Sequence, residues 1–171
     1  MRMSRVLTTA AVIAGGVTVA AATPAAGGPS DWGLNGTYIF TSNGEWAKVN
    51  DVFRDEASIR STWTISSTCS YPTECTGTVS SDWGWTAPIY QKGAVWYVKR
   101  TVDNWQPCPD GTAAPGLQVF RFYPSVPDGS AADPTSTTLF GDDQTTGISG
   151  SCGSSKVVFI SIPFKLVKTN V

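Results

Sequence analysis

From residue 35 to its C-terminus the chain carries no sustained 3.6-residue apolar repeat, apart from a short stretch within "VNDVFRDEASIR". Short runs rich in β-branched and aromatic residues stand instead: "GTYIFTS", "EWAKVNDVF", "IRSTWTISSTC", "CTGTVSS", "AVWYVKRTV", "LQVFRFYP", "STTLF" and "KVVFISIPFKLVK". Between them lie "SNGE", "SYPTE", "YQKG", "QPCPDGTAAPG" and "SVPDGSAADPTS", each with Gly, Pro, Asn or Asp where a backbone reverses. This pattern predicts an all-β antiparallel meander of about 8–10 strands, closed or partly closed into a barrel, with a β-sandwich as the alternative and at most one short helix.

Strand periodicity then sorts the aromatic residues. In Ala94–Val102 the even positions Ala94, Trp96, Val98 and Val102 are apolar and only Arg100 breaks the series, so Trp96 points inward and Tyr97 outward. In "STWTISS" Trp63 and Ile65 share one face against Thr62, Thr64 and Ser66. The last strand places Ile162, Phe164 and Leu166 inward and Lys165 outward. Trp83 and Trp85 share the parity of Val79, with Gly84 leaving the register open there. Trp32, Trp105 and Tyr90 stand beside turns. With Tyr97 they are the candidate ligand-facing aromatics, able to line a barrel mouth suited to an apolar or sugar ligand or simply to cap the core.

The N-terminus reads as a secretory signal peptide over residues 1–26. Arg2 and Arg5 precede an apolar run that ends in small residues at Ala20–Ala22, with Ala25 or Ala26 as later cleavage points. The run is Ala/Gly/Thr-rich and short of the ~20 strongly apolar residues a span needs, so a signal helix is expected with no stable membrane span after its removal. A linker at residues 27–34 leads into a single domain at residues 35–170. Loss of Arg2 and Arg5 leaves ten basic residues against thirteen acidic ones, and no basic patch that would call for nucleic acid. Four cysteines, Cys69, Cys75, Cys108 and Cys152, fit disulfides in an oxidising compartment, secreted or at the cell envelope. Three pairings are formally open. Cys69 and Cys75 bracket the "SYPTE" turn and are expected to close that hairpin end, which leaves Cys108 to Cys152. Zinc is disfavoured, since no Cys-x2-Cys pair and no histidine is available.

The absence of histidine also removes Ser-His-Asp and Cys-His catalysis, and neither Ser-x-x-Lys nor a Gly-rich phosphate loop occurs. Two carboxylates alone can hydrolyse glycosides, with Glu45, Asp82, Asp103 and Asp110 as candidates, yet no spacing singles out a pair. Asp110 and Asp128, each between Pro and Gly, are expected to shape turns. Asp142 and Asp143, with Asp133, could hold calcium, but no Asp-x-Asp-x-Asp-Gly loop is present and a solvated loop is the expectation. Asn35-Gly36-Thr37 matches a glycosylation sequon that is expected to serve as a turn. No cofactor and no metal site is expected.

"LNGTYIF", "STWTISSTC" followed by "CTGTVSS", "GAVWYVKR", "NWQPCPDGT" and a late "SCG" before "IPFKLVKTN" together resemble a group of small exported proteins of mycobacteria and related actinobacteria. They also resemble extracellular modules of membrane-anchored Ser/Thr kinases in those organisms. The resemblance spans Leu34 to Asn170 and implies the pairings Cys69–Cys75 and Cys108–Cys152. It brings no established activity. The functional expectation is a non-enzymatic exported module that binds a small molecule, glycan or protein. The alternatives are a carboxylate-dependent hydrolase of cell-wall glycan and a structural or host-facing surface protein with a filled interior.

Overall fold

The computed structural model describes residues 32–169. The expected signal peptide and signal helix, most of the linker and the last two residues lie outside that range. Ten strands follow one another: β1 (Gly36–Ser42), β2 (Lys48–Val49), β3 (Val52–Phe53), β4 (Arg60–Tyr71), β5 (Glu74–Ser81), β6 (Thr86–Lys92), β7 (Val95–Pro107), β8 (Ala113–Pro124), β9 (Thr138–Gly147) and β10 (Phe159–Lys168). β4 to β10 form an antiparallel meander, and β1 pairs with both β4 and β10, so eight strands close into a barrel. The small β2–β3 hairpin hangs from the start of β10 through Ile160↔Val49 and Ser161↔Lys48. Barrel, rather than sandwich, is therefore the architecture.

An eight-stranded barrel is about as wide as its own side chains can fill. Here the filling is aromatic. Phe40 stacks on Trp63 with ring centroids 4.8 Å apart, and Phe120 and Phe164 meet the same pair edge-on or tilted. Trp63, Trp96, Phe122, Ile65, Ile89, Leu139 and Leu166 are almost wholly buried. Period-two alternation thus does what the sequence predicts for Trp63, Trp96, Phe164 and Leu166. Two bridges staple opposite ends: Cys69–Cys75 joins directly paired residues of the β4–β5 hairpin, and Cys108–Cys152 ties the β7–β8 turn to the β9–β10 connection.

Several local expectations are corrected. "EWAKVNDVF" is not one strand: a 3-10 turn at Gly44–Trp46 and a reversal at Asn50 and Asp51, both with positive φ, break it into β2 and β3. "VNDVFRDEASIR" forms no helix and continues from β3 as an irregular strap. "YQKG" was expected to separate strands, yet Tyr90–Lys92 belong to β6, a strand whose Ala87 and Ile89 carry the inward face. "QPCPDGTAAPG" lends residues at both ends to β7 and β8, and β9 runs beyond "STTLF" to Gly147. Trp83 does not share the fate of Trp85. It lies 60 % exposed on the β5–β6 turn, where Gly84 takes positive φ, while Trp85 turns back against Trp63 and Phe120. Ala94, expected inward, is exposed on the β6–β7 turn.

Candidate functional site

The strand directions put the β2–β3 hairpin, the strap, the β5–β6 turn and the Cys108–Cys152 bridge at one end of the barrel. The Cys69–Cys75 hairpin, the β6–β7 turn and the β8–β9 connection lie at the other. Two features stand out, both at the first end.

The first is an open groove of about 990 Å³ on the outer wall, where β1, β9 and β10 meet the β2–β3 hairpin. Trp46 and Phe53 frame it, each 61 % exposed, with rings edge to face at 6.0 Å. The local chain explains the display. Ala47 is fully buried beneath the hairpin and its carbonyl accepts from the Arg54 amide at 3.0 Å, so the neighbouring Trp46 and Phe53 are pushed outward. Lys48 Nζ sits 4.9 Å above the Phe53 ring. Phe140 and Lys165 complete the wall with Asp142, which is paired to Arg121 at 2.9 Å. Exposed Trp and Phe side by side are what a recognition surface offers and what a merely soluble surface avoids.

The second feature lies inside the barrel mouth. β7, β8 and β9 place Arg100, Gln118 and Asp143 on the inward face, where Gln118 is opposite Arg100 and Asp143 is opposite Phe120 of the aromatic core. Arg100 Nε donates to Gln118 Oε1 at 2.7 Å, and Gln118 Nε2 donates to both oxygens of Asp143 at 3.0 and 2.8 Å. The Arg100 guanidinium carbon lies 4.6 Å over the Trp85 ring. Burial among these walls pushes the Asp143 carboxyl up to about 7, against the pull of Gln118 and of the Arg100 charge. The same burial lowers Arg100, which the Asp143 charge partly offsets. A cavity of about 300 Å³ opens on the cluster, walled by Trp105, Val102, Ile160 and Ile162 and roofed by Glu56–Ile59 of the strap.

The four candidate aromatics do not converge. Tyr90 and Tyr97 face each other across β6 and β7 on the outer wall, stacked at 5.3 Å, with Lys99 Nζ 5.7 Å from the Tyr90 ring. Trp32 packs half-buried against the core at the Cys69–Cys75 end, whereas Trp105 stands at the opposite end in the cavity wall. A bulge between Val102 and Gln106, with Asn104 at positive φ, inserts two extra residues into β7 and turns Trp105 inward within it.

The carboxylates are equally dispersed. Glu45 borders the outer groove, Asp82 and Asp103 are exposed at different points of the rim, and Asp110 accepts from the Thr112 hydroxyl and amide within its turn. Those bonds hold Asp110 below the usual carboxylate range, and the amide and hydroxyl of Ser130 do the same for Asp128. Asp142 and Asp143 are not on a loop, as the sequence suggested, but on β9, where successive residues face opposite sides of the wall. Among the described residues no group of three or more acidic, cysteine or histidine side chains is gathered. Asn35 accepts from the Ser67 amide at 2.9 Å and so holds the chain entering β1 against β4.

Arg100, Gln118 and Asp143 are sequence-visible only in hindsight. Each is a polar residue on the inward parity of its strand, a signal plain at Arg100, where it breaks an apolar series, and weaker on β8 and β9. Trp46 and Phe53 are not singled out by the sequence, because their segment reads as one continuous strand.

No protein-family model matches the chain, and no curated protein matches it either. Among solved structures it is similar in fold to the monomer form of the sensor domain of PknI from M. tuberculosis, with a TM-score of 0.56 and 17 % identity over 80 % of this chain and 88 % of that one. Among the described residues no helix is long and apolar enough to cross a membrane.

Proposed function

We propose that this protein is an exported, non-enzymatic binding module of the cell envelope or medium, and that the Trp46–Phe53 groove is its recognition face. The observation that carries the reading is the pair of large aromatic rings held 61 % exposed on a short, well-tied hairpin beside a groove of about 990 Å³. Hydrogen bonds from the Gly44 amide to Ser58 Oγ and from the Arg54 amide to Ala47 brace that hairpin, so little ordering is left for a ligand to impose. Flat rings flanked by Asn43, Glu45, Lys48 and Lys165 suit a polar chain with apolar faces, and a glycan of the envelope meets that description better than a lipid does. Two disulfides suit an oxidising location. The likeness to a domain described as a sensor agrees with a module that binds rather than converts.

The test is a titration of the protein with solubilised cell-wall polysaccharide, read by amide chemical shifts, alongside Trp46→Ala and Phe53→Ala. Shifts confined to the hairpin, β1 and β10, and a drop in affinity of at least about tenfold in each variant, are expected for aromatic anchors. Shifts elsewhere, or binding indifferent to both substitutions, would remove the groove from the reading. Turnover of the polysaccharide would favour the carboxylate hydrolase instead.

A further inference from the structure

The barrel-mouth cluster is built from donors that lack acceptors. Arg100 spends Nε on Gln118, and among the described residues the only ion pair within 4 Å is Arg121–Asp142, so the terminal nitrogens of Arg100 engage no carboxylate. The guanidinium is nonetheless fixed, by Trp85 on its face and Gln118 at its edge. Among the described residues Asp143 accepts from Gln118 alone, and in its neutral form its O–H meets no acceptor there. A positioned guanidinium and a carboxylic acid beside an apolar-walled cavity call for a ligand that presents two oxygens and an apolar body.

We propose that this cavity binds a small organic carboxylate with a short apolar tail, its oxygens accepting from Arg100 and Asp143 and its tail resting against Trp105, Ile160 and Ile162. The site is distinct from the outer groove and does not depend on it. At about 300 Å³ it stands at the small end of ligand pockets, which limits the tail to a ring or a short branched chain.

Capture is coupled to a proton. When Asp143 is ionised its charge opposes the incoming carboxylate and neutralises Arg100. When it is protonated it contributes a donor, so binding takes up a proton from solvent wherever free Asp143 is ionised. The groups facing Asp143 are Arg100 from β7, the uncharged Gln118 from β8 and Glu56 from the strap, while β10 presents only Ile160 and Ile162. Asp142 also raises it from the neighbouring position, although that side chain faces outward to Arg121. Glu56 adds a rim charge of the same sign as the ligand, so Glu56→Gln should strengthen binding without altering the slope with pH.

The experiment titrates the protein with phenylacetate, following tryptophan fluorescence, from about pH 5.5 to 8.5. Phenylacetamide serves as the uncharged isostere and inorganic phosphate as the tail-less oxyanion. We expect saturable binding of phenylacetate only, level on the acid side and weakening above about pH 7 by up to tenfold per unit. Arg100→Lys, which keeps charge but loses the fork, should weaken it at least about tenfold. Asp143→Asn should keep binding and lose the pH slope. Absence of a response up to the solubility of phenylacetate, equal binding of phenylacetamide or phosphate, or an unchanged slope in Asp143→Asn would each overturn the proposal. The pH profile of the unaltered protein decides the matter even if a variant fails to fold.

Discussion

The indole of Trp105 lies so close against Gly116 that a β-carbon at that glycine would stand 2.7 Å from the ring atom Cδ2. The relationship crosses β7 and β8 and depends on the bulge that turned Trp105 inward. Gly116→Ala must therefore displace the ring, and the Thr145 methyl, 2.9 Å from the same point, crowds it from the other side of β8. We predict a loss of about 1–3 kcal/mol by chemical denaturation and a changed Trp105 emission, as overpacking forces the wall of the cavity to move.

Stability should fall as pH rises toward neutrality, the reverse of the usual carboxylate behaviour. Asp143 titrates near 7 when folded and near the ordinary value of about 4 when unfolded, so between those limits the folded state holds a proton that the unfolded chain has released. Its contribution is complete below about pH 4, lost progressively up to about pH 7 and level above. Asp110 and Asp128 act in the opposite sense as pH falls through their lowered values, but both are exposed and their effect is small. Urea melts across this range should show a decline approaching about 4 kcal/mol, the worth of a titration displaced from about 4 to about 7. Asp143→Asn should flatten it.

The two disulfides should differ in worth. Cys108–Cys152 closes a separation of 44 residues and Cys69–Cys75 one of only 6. In the chain-entropy account the longer loop is worth about 1.5–2 kcal/mol more. A Cys108→Ser/Cys152→Ser double variant should accordingly melt lower than Cys69→Ser/Cys75→Ser, as followed by thermal denaturation under matched conditions.

Two tryptophans make a direct contrast. Trp63, buried and in contact with the rings of Phe40, Phe120 and Phe164, should cost about 3–5 kcal/mol on Trp63→Ala. Trp83, 60 % exposed on its turn, should change stability by no more than about 0.5 kcal/mol on Trp83→Ala. Equal losses at both positions by urea denaturation would show that the interior is not organised around Trp63.

Much of this was legible in the residues. The all-β class, the inward faces of Trp63 and Trp96 and the pairing of Cys69 with Cys75 follow from alternation and turn chemistry, which act over a few residues. Trp105 was not, because a bulge of two extra residues turns it inward and nothing in "TVDNWQP" marks that bulge beyond Asn104, a residue that tolerates positive φ. Trp46 was not, because the segment's apolar content reads as a strand until the reversal at Asn50 and Asp51 is seen.

The sequence by itself therefore determined the all-β class, the aromatic filling and the stapled ends, since each depends on period-two alternation or on cysteines near in sequence or matched by elimination. Only the tertiary structure decided that β1 meets β10 and closes the wall, and that Arg100, Gln118 and Asp143 come within hydrogen-bonding reach at the mouth. Those facts rest on the stagger between strands. Stagger is set by how the whole set of side chains packs inside a ring of eight, and no single strand carries it.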